Sequence, residues 1–182
     1  MGLEIEKKYR LRVEQLERLR LRLAEVGAEW RGEEFEENTL FAGANLGEGN
    51  RALRLRRVGD RAVLTFKERA EADASPIKRQ REDETEIGDA EALTTILDAL
   101  GYRPALVYEK RRATWRLAAA EVVLDELPFG HFVEIEGDER AIEEAERLLN
   151  LADADAEHAT YPQLTAKHGR RNGALVEARF SR

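Results

Sequence analysis

The chain alternates from its first residues. Over 3–11, Leu3, Ile5, Tyr9 and Leu11 fall on one side and Glu4, Glu6, Lys8 and Arg10 on the other. A period of two predicts a strand. Over 13–26 the period changes. Val13, Leu16, Leu19, Leu23 and Val26 recur every three or four residues, an amphipathic helix that Gly27 is placed to end. A weak strand is read over 33–41, and 42–50 is a loop with three glycines and two asparagines. Leu53 and Leu55 alternate with Arg54 and Arg56 over 51–58. The Gly59-Asp60 turn and a return strand over 61–67 complete a hairpin.

Residues 68–76 read as a polar, Ala-rich loop expected to be mobile, and 78–87 as a densely charged strand. Leu93, Ile96, Leu97 and Leu100 mark a helix over 89–100, with Asp89 as its N-cap. A second hairpin is expected over 105–117 and 121–127. A Pro128-Phe129-Gly130 turn then leads to a strand over 131–137. A helix over 139–151 presents Ile142, Ala145, Leu148 and Leu149 on one face, and a short helix follows over 160–168. The expected organisation is one domain over 1–170 and a basic tail over 171–182. The tally is about eight strands, mostly in hairpins, with about three amphipathic helices.

Length and composition narrow the classes. A chain of 182 residues, 42% hydrophobic, suits one domain with a sizeable core. Charged residues reach 37%, against the ~25% of an average chain. Thirty basic and 37 acidic residues give 30 − 37 = −7, which argues against DNA as a partner. No apolar run approaches the ~20 residues of a membrane span, and residues 1–6 hold no apolar signal region. No membrane partner and a cytoplasmic location are therefore expected. The absence of cysteine removes disulfides, zinc ribbons, iron–sulfur clusters and thiol catalysis. His131, His158 and His168 match no metal or triad spacing, and Trp30 and Trp115 read as packed residues.

The unusual feature is the polar face of the strands. Charges of one sign come in same-face pairs: Glu4 with Glu6, Glu134 with Glu136, Arg54 with Arg56, and Lys110 with Arg112. Lys8 follows the first acid pair, Lys67 ends its strand, and Glu82, Glu84 and Glu86 share one parity. Residues two apart on a strand stand roughly 6–7 Å apart. A Glu-x-Glu pair can hold one hard cation such as Mg²⁺ or Mn²⁺. An Arg-x-Arg pair can grip a phosphate. Solvated outer charges would leave the pairing of like signs without a purpose. The alternative is a closed barrel with a polar lumen, its apolar outside covered by the helices.

Glu4-x-Glu6-x-Lys8 resembles the E-x-E-x-K signature of the CYTH superfamily, the triphosphate tunnel metalloenzymes. Further resemblances follow in order: Leu53-Arg54-Leu55-Arg56, Thr65-Phe66-Lys67, the charged stretch 79–86, and Glu109-Lys110-Arg111-Arg112. Val123-Leu124-Asp125, then 130–136, and finally Thr160-Tyr161-Pro162-Gln163-Leu164 complete the series. The resemblance covers roughly 3–168. It implies an α+β fold, an eight-stranded antiparallel closed β-barrel, or tunnel, with flanking helices. It also implies a divalent metal and a small-molecule triphosphate: tripolyphosphate, thiamine triphosphate or ATP. By resemblance, Glu4, Glu6, Lys8, Glu134 and Glu136 are catalytic. Lys8, Arg54, Arg56, Lys67, Arg81, Lys110 and Arg112 bind phosphate. Glu4, Glu6, Glu84, Glu86, Asp125, Glu134 and Glu136 face metal. Arg79 and Arg81 lie at the parity opposite to the acids of their strand, which a bulge would reconcile.

The expected reaction is metal-dependent triphosphate hydrolysis with an alkaline optimum. The alternatives are a class IV adenylyl cyclase, towards which Gly101-Tyr102-x-Pro104-Ala105 points by resemblance, and a non-catalytic polyphosphate or nucleotide binder. The chain is expected to be a monomer or a homodimer.

Overall fold

The structure, a computed structural model, describes residues 2–43, 46, 51–69, 78–151 and 154–181. In chain order the elements are β1 (Gly2–Leu11), α1 (Val13–Glu25), β2 (Glu29–Ala42), β3 (Arg51–Val58), β4 (Arg61–Arg69) and β5 (Lys78–Glu86). There follow α2 (Ala90–Ala99), β6 (Arg103–Leu117), β7 (Ala120–Leu127), β8 (Gly130–Glu136) and α3 (Glu139–Leu149). The chain continues with β9 (Asp155–Ala156), α4 (Tyr161–His168), β10 (Arg170–Asn172) and β11 (Leu175–Ala178). The fold is α+β. Most of the expected loop over 42–50, and that over 68–76 from residue 70 on, lie outside the described residues.

The alternating stretches all form strands. Asp89 caps α2 as expected, accepting from the Glu91 and Ala92 amides. β2 begins four residues earlier than its pattern predicts. A register shift between Trp30 and Gly32 breaks the period of two there, so the first turn of the pleat reads as irregular sequence. Gly59 takes φ +54° in the two-residue turn between β3 and β4.

The strands pair in the order β6-β2-β3-β4-β5-β1-β8-β7, each ladder antiparallel, and β7 also pairs β6 from Arg111↔Glu126 to Leu117↔Ala120. Residues 171–178 of the expected tail are folded. β10 and β11 form a hairpin, and β11 adds in parallel to Leu106–Tyr108 of β6. The cause is local: Val176 and Ala178 are buried, and Arg179 Nη1 reaches Glu37 Oε2 at 2.6 Å and Glu109 Oε1 at 3.0 Å.

The two faces of the strands differ as their alternation requires. On the outer face, Tyr9, Val122, Leu124, Val133 and Ile135 pack against Leu19 and Leu23 of α1 and Ile142, Ala145 and Leu149 of α3. α2 sets Leu97 on Phe41, Leu55 and Ala62. α4 instead packs on residues of the polar-face parity: Tyr161 and Leu164 lie against Leu40, Tyr108, Leu127 and Phe132. Ile142 is fully buried beneath α3. Ile142→Ala is therefore expected to cost about 2–5 kcal/mol of unfolding free energy, read by urea denaturation. No helix among the described residues is long and apolar enough to cross a membrane.

Candidate functional site

The polar face lines a cavity of about 940 Å³. Its wall receives Lys8 from β1, Arg54 and Arg56 from β3, Lys67 from β4, and Lys110 and Arg112 from β6. These are the expected phosphate binders apart from Arg81. Period two is what delivers them: each pair lies two residues apart on one strand, so both members face inwards.

β5 corrects the remaining expectation. Its ladders to β1 and β4 run without a register shift, so no bulge turns Arg81 inwards. Arg81 lies on the opposite face, half exposed and paired with Asp83 Oδ2 at 2.7 Å. Gln80, Glu82 and Glu84 take the inward positions. Glu86 keeps their parity but is exposed and does not line the cavity.

The acids divide into two sets. Glu6 and Glu136 face one another across the β1–β8 ladder, and Glu136 faces Glu121 across β7–β8. All three line the cavity. Glu134 is buried beside them, with Oε2 2.6 Å from Arg112 Nη2 and Oε1 3.6 Å from Lys8 Nζ. Glu4 keeps the parity of Glu6, opposite Gln80 in the ladder, and its side chain lies outside the described residues.

The second set holds cations in place. Asp125, expected near a metal or a lysine, is fully buried and does not line the cavity. Its Oδ1 accepts from Arg112 Nε at 2.8 Å. Its Oδ2 accepts from Arg112 Nη2 at 2.6 Å and the Tyr161 hydroxyl at 2.8 Å, with Lys110 Nζ at 3.4 Å. Both oxygens are taken, so Asp125 is an anchor for the β6 cations. Glu84 accepts from Thr65 Oγ1 at 2.7 Å and pairs with Arg56 at 3.3 Å, while Glu82 pairs with Lys67 at 2.6 Å.

Glu36, Tyr108 and Tyr161 were not among the expected site residues. The Tyr161 ring lies 4.1 Å from Lys8 Nζ and 5.4 Å from Lys110 Nζ, a cation–π platform beneath both. Burial, then the charges of Asp125 and Glu134, push its hydroxyl well above the ordinary tyrosine range, so it stays a donor. Burial and the Arg112 charge lower the Lys110 ammonium, against the acids around it. Arg54 Nε and Asn38 Oδ1 are buried without a hydrogen-bond partner among the described residues.

Glu36 is 1% exposed and meets Lys110 at 3.3 Å, Arg112 at 3.8 Å, Arg56 at 3.9 Å and the Asn38 amide at 3.1 Å. Burial alone would raise its carboxyl. The three cations and the amide outweigh it and hold the group down at about 2, from an ordinary 4.5. The unfolded chain therefore takes up this proton first. The stability Glu36 contributes is complete above its unfolded value and is lost as pH falls through 4.5 towards 2. Urea denaturation at about pH 6 and about pH 3 should show stability falling with pH, with a shallower fall in Glu36→Gln.

Among the described residues, no three acidic or histidine side chains converge on one point as they stand. The donor chemistry nevertheless fits a hard divalent cation. Glu6, Glu136 and Glu121 are adjacent through the ladders and supply only carboxylate oxygens. The histidines are not with them: His168 stacks on the Phe129 ring at 5.8 Å. Trp30 and Trp115 pack edge to face at 4.6 Å, away from the cavity lining.

The CYTH domain family matches residues 2–162. Solved structures of similar shape include the PH1012 protein of Pyrococcus horikoshii OT3, with 26% identity, coverage of 87% of this chain and 96% of that one, and a TM-score of 0.74. A conserved hypothetical protein of Pyrococcus furiosus matches with 27% identity, 87% and 97% coverage and a TM-score of 0.73. A candidate adenylyl cyclase of Hippeastrum, described as having a dominant triphosphatase activity, shares the fold at 19% identity, 90% and 95% coverage and a TM-score of 0.71. No curated protein sequence matches the chain significantly.

Proposed function

The chain belongs to the CYTH family, and from that premise we propose that it is a divalent-metal-dependent triphosphatase acting on tripolyphosphate or an organic triphosphate. One observation carries the reading. Lys8, Arg54, Arg56, Lys67, Lys110 and Arg112 converge on a single cavity from four strands, and the Glu6–Glu136–Glu121 row lines the same cavity. Clustered cations beside a row of carboxylates are what a metal–polyphosphate complex needs. The β6–β7 ladder brings the last strand of the pairing path back to the first and supports a closed tunnel.

The chain's own residues do most of the work. Arg54, Arg56 and Lys67 take phosphate oxygens on one wall; Lys8, Lys110 and Arg112 take them on the other. Arg112 is pre-aimed by Asp125 and Glu134, so little reorganisation accompanies binding. Glu6 and Glu136, with Glu4 and Glu134, would hold Mg²⁺ or Mn²⁺, which would draw charge from the reacting phosphorus. Glu136 orients the attacking water. The water oxygen forms the new P–O bond at the terminal phosphorus and its proton passes to the solvent of the cavity, the bridging P–O bond breaks, and orthophosphate leaves with pyrophosphate, or with the organic diphosphate where the substrate is organic.

A second reading rests on the apolar part of the same cavity. Leu40, Ala105 and Leu106 offer a surface to an organic group. There ATP would be attacked by its own ribose 3′-hydroxyl at the α-phosphorus, giving cyclic AMP and pyrophosphate. Phosphorus NMR with Mg²⁺ or Mn²⁺ separates the readings. Orthophosphate with pyrophosphate from tripolyphosphate is the expected result. Cyclic AMP from ATP would replace it with the cyclase. No turnover of either, with binding retained, would leave a polyphosphate binder.

A further inference from the structure

A second cavity of about 560 Å³ adjoins the first, and Arg56, Arg112 and Glu121 line both. A linear phosphate chain held by the cations of the larger cavity would, if extended, run into the smaller one. Glu36 stands at that junction, lining the second cavity. We propose that Glu36 is a depth stop. Its carboxylate limits how far a linear phosphate chain can enter, and so makes the site select tripolyphosphate over longer polyphosphates.

Three observations carry this. First, Glu36 cannot easily withdraw. Lys110, Arg112, Arg56 and the Asn38 amide hold it, and moving it would leave buried cations without their counter-ion. Second, the far cavity has no positive surplus to offer another phosphate. Its four arginines are matched by four glutamates. Arg61 is already paired with Glu34, and Arg31 with Glu29. Third, Glu36, itself 1% exposed, is the ion-pair partner of Arg56 and Arg112 at the junction, so a phosphate advancing past them finds those cations already committed on that side. Glu36 is thus a specificity-determining residue, distinct from the groups that touch the cleaved bond.

The inference rests on the triphosphate reading above. The test is calorimetric binding of tripolyphosphate and of a long-chain linear polyphosphate, with EDTA and with Mg²⁺, to the native protein and to Glu36→Gln. Removing a negative charge strengthens binding of every polyanion, so the readout is the ratio of long-chain to tripolyphosphate affinity. That ratio is expected to rise roughly tenfold in Glu36→Gln. Glu34→Gln, on the exposed rim, frees Arg61 and should raise it roughly threefold even if Glu36→Gln does not fold. Glu36→Asp, which keeps the charge, should leave it low. If native protein binds tripolyphosphate and neither neutral variant moves the ratio, the depth stop is wrong and the triphosphate reading stands. If the native protein binds neither polyphosphate, both fall together.

Discussion

Asp125→Asn is expected to lower the melting temperature by about 10 °C and to abolish turnover. Asp125 is fully buried and accepts from both Arg112 nitrogens, the Tyr161 hydroxyl and Lys110. The amide presents one acceptor oxygen and two N–H groups. Those N–H groups would face the Arg112 guanidinium, and no charge would remain to balance the β6 cations on that side. Breaking a buried ion pair from one end costs roughly 3–5 kcal/mol, and each kcal/mol is worth roughly 2–4 °C in a domain of this size. Turnover goes with it, because Arg112 and Lys110 lose the group that aims them. Calorimetric melting and the phosphorus NMR assay read the two effects separately. An unchanged melting temperature would mean that Arg112 is held by Glu134 and Glu36 alone.

Glu6→Gln and Glu136→Gln should each reduce turnover by roughly a hundredfold or more, with melting temperature little changed. Both residues line the solvent-accessible cavity, where water can compensate much of a lost charge. On the proposed reading their effect falls on the metal. EDTA should abolish activity in the native protein, and excess Mn²⁺ should recover part of it in the variants. Activity of Glu136→Gln within threefold of native, or native activity in EDTA, would remove these carboxylates from the chemistry.

The strands could be read from the chain because their two faces serve different solvents, apolar towards the helices and charged towards the cavity. That difference appears as alternation along most of β1, β3 and β8, broken at Lys7, Arg57 and Phe132, and it put Lys8, Arg54, Arg56, Glu134 and Glu136 on the polar face without a structure. Where both parities carry charge, the pattern is silent. β5 holds Arg79 and Arg81 at one parity and Glu82, Glu84 and Glu86 at the other. Only the ladder shows that the acids face inwards. Glu36 was hidden for the same reason. It sits in Glu33-Glu34-Phe35-Glu36-Glu37, where acids occupy both faces and the Trp30–Gly32 bulge removes the phase reference. Asp125 was recognisable as important, but its role depends on Tyr161, which α4 brings back from far along the chain. β11 is too short for its alternation to stand out from the basic residues around it.

The place of β1 in the pairing order has a consequence for synthesis. β1 is made before the strands it pairs with, β5, β8 and β9, and Lys8 meets Glu134 only when β8 arrives. Contacts this distant along the chain make folding slow, and an unpaired strand with an apolar face is an aggregation hazard while it waits. Glu4, Glu6, Lys8 and Arg10 alternate with the apolar residues along the strand and charge its other face, as charged gatekeepers do beside aggregation-prone segments. The charges proposed to handle phosphate and metal in the folded protein thus act earlier as well, keeping β1 in solution until β8 arrives to pair with it.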